Sequence, residues 1–145
     1  ELVVFTAGLE AYAEPLCATI DPHRRIEHAL YRRHTRLAQC REHVKDLSLL
    51  GRDLRRTVIV DNNPFSFCLQ PSNGIPVVPF SGDPDDTELL GTVLPLLEAL
   101  AEAEDVRPLL QERYRMADFF RARGVRVAPE GEARPQQPMA APVVC

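Results

Sequence analysis

The sequence predicts an α/β protein of the doubly wound kind, a mostly parallel sheet flanked by helices. Three observations carry this prediction. Short β-branched and apolar runs at residues 1–6 (ELVVFT), 57–60 (TVIV) and 75–78 (IPVV) have the composition of strands. Longer stretches at residues 9–20 and from 85 onward have the spacing of helices, and strands alternating with helices imply parallel pairing. The run TVIV also stops abruptly on Asp61-Asn62-Asn63-Pro64. A strand covered on both faces that ends on an acid and two amides places them where open parallel sheets bind ligands, beyond the carboxyl ends of the strands. Capping the turn before Pro64 is the competing role for Asp61.

The elements follow in order. Residues 1–6 form a buried strand, then Gly8 leads into a helix over 9–20, with Pro15 either kinking it or marking its first full turn. Asp21-Pro22 closes this unit, and residues 28–32 (HALYR) make a second or edge strand. Residues 45–50 pass from a loop into a helical turn that bunches Leu47, Leu49 and Leu50 before Gly51. The strand at 57–60 precedes another at 75–78, introduced by an Asn73-Gly74 turn. Asp85 and Glu88 have the spacing of a capping box, and Leu89, Leu90, Val93, Leu94, Leu97 and Leu100 make one apolar face, with a kink or break at Pro95. A last helix over 106–120 buries Leu109, Leu110, Tyr114 and Phe120. From Gly124 the periodicity disappears. Residues 1–122 are read as the folded domain and 123–145 as a disordered Pro/Gly-rich tail.

At 145 residues the chain is one domain long, and 45% apolar with 26% charged residues is ordinary for a globular protein. No apolar run approaches the roughly 18 residues that cross a bilayer, and the four cysteines show no CxxC spacing, so an intracellular protein with reduced thiols is expected. The chain begins at Glu1 in mid-strand pattern, which reads as a piece of a longer protein. Any membrane attachment would then come from a missing N-terminal segment. The net charge of −4 argues against direct nucleic-acid binding. Its distribution is uneven: residues 1–60 hold ten basic and eight acidic side chains, residues 61–145 seven and thirteen. The basic half suits an anionic substrate.

Seventeen basic residues comprise sixteen arginines and one lysine, Lys45. A lysine offers a compact point charge where arginine offers a planar fork, which suits a crevice that pairs an acid while neutralising a phosphate oxygen. Coding bias toward arginine is the plain alternative. Thr6 ends the first strand within FTAG, a hydroxyl followed by small residues, and can cradle a phosphate or, more simply, cap the next helix. Arg24-Arg25 and Arg32-Arg33 are most simply solvated charges, although Arg32, at the end of a strand, can reach the same crevice. His34, Cys40 and His43 match no common zinc spacing and read as solvated loop residues. There is no glycine-rich phosphate loop and no GxSxG elbow.

With hydroxyl, lysine and acid in order, the segments VVFTAGLEAYAEPL, YRRHT, HVKDLSLLGRDLRRTVIVDNNPFSF and NGIPV…DTELLGTVLPLLEAL resemble the small C-terminal-domain phosphatases, the Scp/Dullard-like branch of the haloacid dehalogenase superfamily. The resemblance implies a haloacid-dehalogenase-like sheet, incomplete at its N-terminus, and Mg²⁺-dependent protein serine/threonine phosphatase activity. It implies that Thr6 holds the phosphoryl group, that Lys45 neutralises phosphate and nucleophile, that Asp61 and Asn62 hold Mg²⁺, and that Arg32 positions the substrate phosphate. It further implies a phosphorylated protein substrate, with the RNA polymerase II C-terminal domain as a candidate, and a nuclear location, or alternatively the endoplasmic reticulum or nuclear envelope. One motif of the family is missing from its place: no DxDxT, the source of the nucleophilic and acid–base aspartates, stands ahead of Thr6, and the literal run DPDDT at residues 83–87 comes after Asp61, out of the motif's order. The chain alone is therefore expected to be inactive. The competing implication is a non-catalytic binding domain of the same fold, as in import receptors. A receiver domain, which orders acids before threonine and lysine, disagrees with the order seen here.

Overall fold

The computed structural model describes residues 1–39 and 41–127. Strand β1 (Val3–Phe5) leads through helix α1 (Glu10–Ile20) to β2 (His28–Leu30), which pairs with β1 in parallel with Val4 opposite Ala29. This is the expected strand–helix–strand unit. Pro15 lies inside α1, where it has no N–H to donate, and the helix runs on past it. Asp21 then stops the helix, its carboxylate accepting from the backbone N–H groups of Arg25 and Ile26 at 2.8 Å each. Burial in this unit is lighter than its sequence implies: β1 is half-buried, and Ala13 is the sole fully buried residue of α1.

An antiparallel pair follows, β3 (Arg36–Ala38) with β4 (Arg41–Val44), where the polar sequence RLAQCREHV gives no strand signal. Single-turn 3₁₀ segments at Leu47–Leu50 and Leu54–Arg56 lead to β5 (Ile59–Asp61), which pairs in parallel with β6 (Gly74–Pro76), Asp61 standing opposite Pro76. The expected continuous sheet is thus corrected: among the described residues the strands form three separate pairs, two parallel and one antiparallel. Asn73-Gly74 is not a hairpin turn either. Asn73 ends a short helical turn, its side-chain N–H groups donate to the carbonyls of Leu54 and Thr57, and Gly74 starts β6 directly against the ring of Phe67, which a Cβ would strike.

The helical stretch after β6 also differs from its expected form. Asp85 does not cap it. Asp86 accepts from the N–H of Glu88 at 2.8 Å, and the Glu88 carboxylate reaches back to the N–H of Val78. Residues Glu88–Val93 wind as a π-helix, and α2 (Leu94–Ala101) begins with Pro95 in its first turn. The interruption at Pro95 takes the form of this change in winding, because Pro95 cannot donate to the preceding turn. Only Val93 and Leu100 of the expected apolar face are fully buried, while Leu89, Leu90 and Leu94 are exposed. The last expected helix is two, α3 (Val106–Tyr114) and α4 (Met116–Arg121), divided at Arg115, whose φ of 50° is left-handed. Leu110 and Phe120 are buried as expected, but Leu109 is exposed.

Two apolar clusters hold the domain together. Val44, Leu47, Ile59, Phe67, Cys68, Met116 and Phe120 make one, with Phe120 edge-on to Phe67 and Phe65. Ile75, Val93, Leu100, Val106 and Leu110 make the other, and Tyr114 packs against both. Each large side chain so buried stabilises by about 1.5–3 kcal/mol. The ends of β4 and β5 are therefore anchored from the interior. Val125 also joins the first cluster and Arg126 exchanges two backbone bonds with the Gln39 amide; the rest of the expected tail, from residue 128, lies outside the described residues.

Candidate active site

β5 delivers Asp61 to its carboxyl end, but the acid does not escape into solvent: it is 7% exposed. Its Oδ1 accepts from the N–H of Asn63 at 2.8 Å, and its Oδ2 meets the Nζ of Lys45 at 2.5 Å. Asn63 in turn caps the helical turn Pro64–Phe67 by accepting from Phe65 N–H. Asp61 therefore shapes the turn and faces a cation at once, and the two roles read as alternatives from sequence coexist. Asn62 lies between them, exposed.

Lys45 is the residue immediately after β4. Its backbone N–H donates to the Ser66 carbonyl at 2.7 Å, and its side chain is 12% exposed. Its neighbour Asp46 explains the rigidity of this corner. The Asp46 carboxylate, 3% exposed, accepts from the Ser48 N–H and hydroxyl, from Gln70 Nε2 and from Arg36 Nη1. Burial raises the cost of its charge, but the bonds from Ser48, Gln70 and Arg36 outweigh that cost and hold its pKa below the usual carboxylate value. Gln70 also accepts from the N–H of Leu47. Sequence reasoning passed over Asp46 and Gln70; the Asp-x-Ser spacing, a turn signal, was the available clue to the first.

Thr6 stands just past β1, its N–H bonded to the Leu30 carbonyl of β2. It is not the cap of α1, whose N-cap position is Leu9 without a side-chain bond. Thr6 Oγ1 accepts from the Gly8 N–H at 3.0 Å, which leaves the hydroxyl hydrogen to donate elsewhere. Arg32 folds over the same loop: its N–H donates to the Gly8 carbonyl and its Nε to the Ala7 carbonyl at 2.7 Å. Among the described residues its guanidinium has no carboxylate partner. The two groups of residues meet through Phe5, whose ring lies 5.9 Å from Lys45 Nζ. Thr6, Arg32, Lys45, Asp61 and Asn62 thus belong to one region at the strand ends.

The histidines are placed otherwise than as solvated loop residues. His34 Nδ1 accepts from the Tyr31 N–H, and His43 lies in β4 within 3.2 Å of the Thr35 hydroxyl. Cys40 lies outside the described residues. Among the described residues no three His, Cys, Asp or Glu side chains cluster as a metal site.

A hydroxyl, a lysine, an arginine and a buried acid stand just past or at the ends of β1, β4, β2 and β5, a donor set able to bind an anion. The NLI interacting factor-like phosphatase family matches residues 1–107, and the chain belongs to that family. It is 47% identical over 116 residues to a probable C-terminal domain small phosphatase of Dictyostelium discoideum, covering 77% of this chain and 36% of that protein. It is 45% identical over 107 residues to the human carboxy-terminal domain RNA polymerase II polypeptide A small phosphatase 2, covering 73% and 38%. Over 114 residues it is 40% identical to the mitochondrial import inner membrane translocase subunit TIM50 of Candida glabrata, covering 77% and 23%. The chain spans well under half the length of these relatives. Its mixed α/β architecture is consistent with a haloacid-dehalogenase-like phosphatase domain.

Proposed function

We propose that this chain carries the C-terminal part of the catalytic domain of a Mg²⁺-dependent protein serine/threonine phosphatase, acting through an aspartyl-phosphate whose nucleophile lies upstream of Glu1. The single observation that carries this is the buried Lys45–Asp61 pair at the end of β5, with the ring of Phe5, the neighbour of Thr6, 5.9 Å from the Lys45 Nζ. Attack by a carboxylate on a phosphomonoester dianion is repulsive, so positive charge must be fixed in place beforehand. Lys45 supplies it: Asp61 takes one of its three N–H donors and leaves two for the phosphoryl oxygens and the incoming carboxylate. The Thr6 hydroxyl donates to a phosphoryl oxygen, and the unpaired face of the Arg32 guanidinium orients the phosphate.

The donor set suits Mg²⁺. Asp61 and Asn62 line the same cavity, and their side-chain oxygens would be the hard ligands, since Mg²⁺ in phosphoryl-transfer sites takes one or two carboxylates with water and phosphate completing its shell. When bound, the ion neutralises the phosphate and the developing charge. Asp61 orients Lys45 whether or not the ion is present.

The substrate class is a phosphoserine or phosphothreonine in a protein, for which the human relative's name offers the RNA polymerase II C-terminal domain as a candidate, in the nucleus or at its envelope. The similarity to a mitochondrial translocase subunit favours a second reading, a protein-binding domain without turnover. The full-length protein decides between them. Release of phosphate from p-nitrophenyl phosphate and from phosphoserine peptides, abolished by a chelator and restored by Mg²⁺, is the expected result; no release with bound Mg²⁺ favours the binding domain.

A further inference from the structure

Beside the Lys45–Asp61 pair lies a cavity of 720 Å³ with a lining of mixed chemistry. Lys45, Asp61 and Asn62 supply its polar part, and Val78, Phe80, Leu89 and Leu90 are among its apolar residues. These four side chains are exposed by 69%, 72%, 63% and 71%, an apolar shelf next to the most polar point of the domain. The shelf is held, not loose, because the Glu88 carboxylate at the head of the π-helix accepts from the N–H of Val78 at 3.0 Å and so ties the two sides of the shelf together. Asp86 and Glu88 also line the cavity, and among the described residues neither is in an ion pair. Val78 of the shelf lies two residues past β6, which pairs with β5, so the shelf runs on from the strand beside Asp61.

We infer that this shelf binds the residues of the substrate next to the phosphorylated one, selecting an apolar side chain followed by a lysine or arginine. The inference rests on the phosphatase reading above and deepens it. Continuity with the Lys45–Asp61 pair fixes the occupant as the chain that bears the phosphate. The apolar shelf selects an aliphatic or aromatic neighbour, since burying such a side chain is favourable in proportion to its area. The carboxylates of Asp86 and Glu88 each hold one backbone N–H but enter no ion pair among the described residues, so they select a cation next to the apolar side chain and disfavour an acid. Arg32 and Lys45 keep the phosphate end basic, so the ligand is read by opposite charges at its two ends.

The test uses the full-length protein and three probes: p-nitrophenyl phosphate, which has no flanking residues, and two phosphoserine peptides that differ only in the flank, Leu-Arg against Gly-Glu. The Leu-Arg peptide is expected to have the higher kcat/KM by about 10–100-fold, the range that burial of one large apolar side chain supports. Phe80→Ala with Leu90→Ser should bring that ratio close to one. Turnover of all three probes with a ratio near one, or a ratio the double substitution leaves unchanged, overturns the shelf and leaves the phosphatase reading standing. A large loss of melting temperature in Phe80→Ala/Leu90→Ser with an unchanged ratio shows that the polypeptide itself covers the shelf, which also overturns it. No turnover of any probe overturns the phosphatase reading, and the inference falls with it.

Discussion

Lys45 Nζ and Asp61 Oδ2, sixteen residues apart, meet at 2.5 Å, the lysine 12% and the acid 6% exposed in their side chains. Two elements that share no strand pairing are locked together by that contact, because Lys45 follows β4 and Asp61 ends β5. A buried pair of this kind is weak support for stability, since desolvation of two charges offsets most of their attraction. Its retention is better explained by what the ammonium does than by what it holds.

The consequence is that arginine cannot replace Lys45. A guanidinium is larger, planar and differently directed, and it cannot stand where Nζ stands without displacing the Asp61 carboxylate. In the full-length protein Lys45→Arg is expected to lose about 10²–10³-fold in kcat, the usual cost of removing one preorganised charge contact. The accompanying melting temperature should stay within a few degrees of the unsubstituted protein. Near-normal turnover would make Lys45 an ordinary buried cation and its uniqueness among seventeen basic residues a matter of composition.

Asn62→Ala should act on the metal and not on the fold. Asn62 is exposed, whereas its neighbours Asp61 and Asn63 carry the turn, so truncating it removes the proposed oxygen ligand without disturbing the turn. The Mg²⁺ concentration giving half-maximal rate is expected to rise by about tenfold, with kcat at saturating Mg²⁺ changed far less. An unaltered Mg²⁺ titration would remove Asn62 from the proposed ligand set.

How much of this was legible in the sequence depended on how locally each feature is determined. The strand ending at Asp61 was visible because four β-branched residues and an Asn-Pro turn are local signals. Lys45 stood out by composition alone. The β3–β4 pair was not visible, since Arg36, Arg41, Glu42 and His43 have no strand pattern, and the pair is anchored where Val44, opposite Arg36, enters the first apolar cluster. The break at Arg115 was equally hidden: nothing in QERYRMAD marks a left-handed residue, and the packing of Leu110 and Phe120 into different clusters demands one. Asp46 was passed over because its partners, Arg36, Ser48 and Gln70, come from three separate stretches of chain.

Gly74 illustrates a constraint of close approach. Its φ is −99°, which any residue adopts, so the glycine is there for space: the Phe67 ring occupies the position a Cβ would take. Phe67 is fully buried against Phe120 and cannot swing aside. Gly74→Ala is expected to destabilise by about 1–3 kcal/mol through overpacking, read as a lowered urea midpoint. A compensating Phe67→Leu should recover part of the loss, and a failure to do so would place the strain elsewhere.

Asp46 yields the prediction with a pH signature. Burial opposes the charge of its carboxyl, but the bonds from Ser48, Gln70 and Arg36 hold its pKa below the ordinary carboxylate value of 3.8. A carboxylate whose pKa is depressed in the folded state binds fewer protons there than in the unfolded chain. Its stabilising contribution is therefore fully present above pH 3.8 and is lost as the pH falls below that value through the folded-state pKa. Asp46→Asn keeps the shape but gives up the charge that Arg36 and the Ser48 hydroxyl bond, a loss of about 2 kcal/mol at neutral pH for hydrogen bonds to a charged group. The melting temperatures of the two proteins should thus differ by several degrees at pH 7 and converge in the acid range below 3.8. A difference that stays constant down through that range would mean that the side chain acts through its shape and not through its charge.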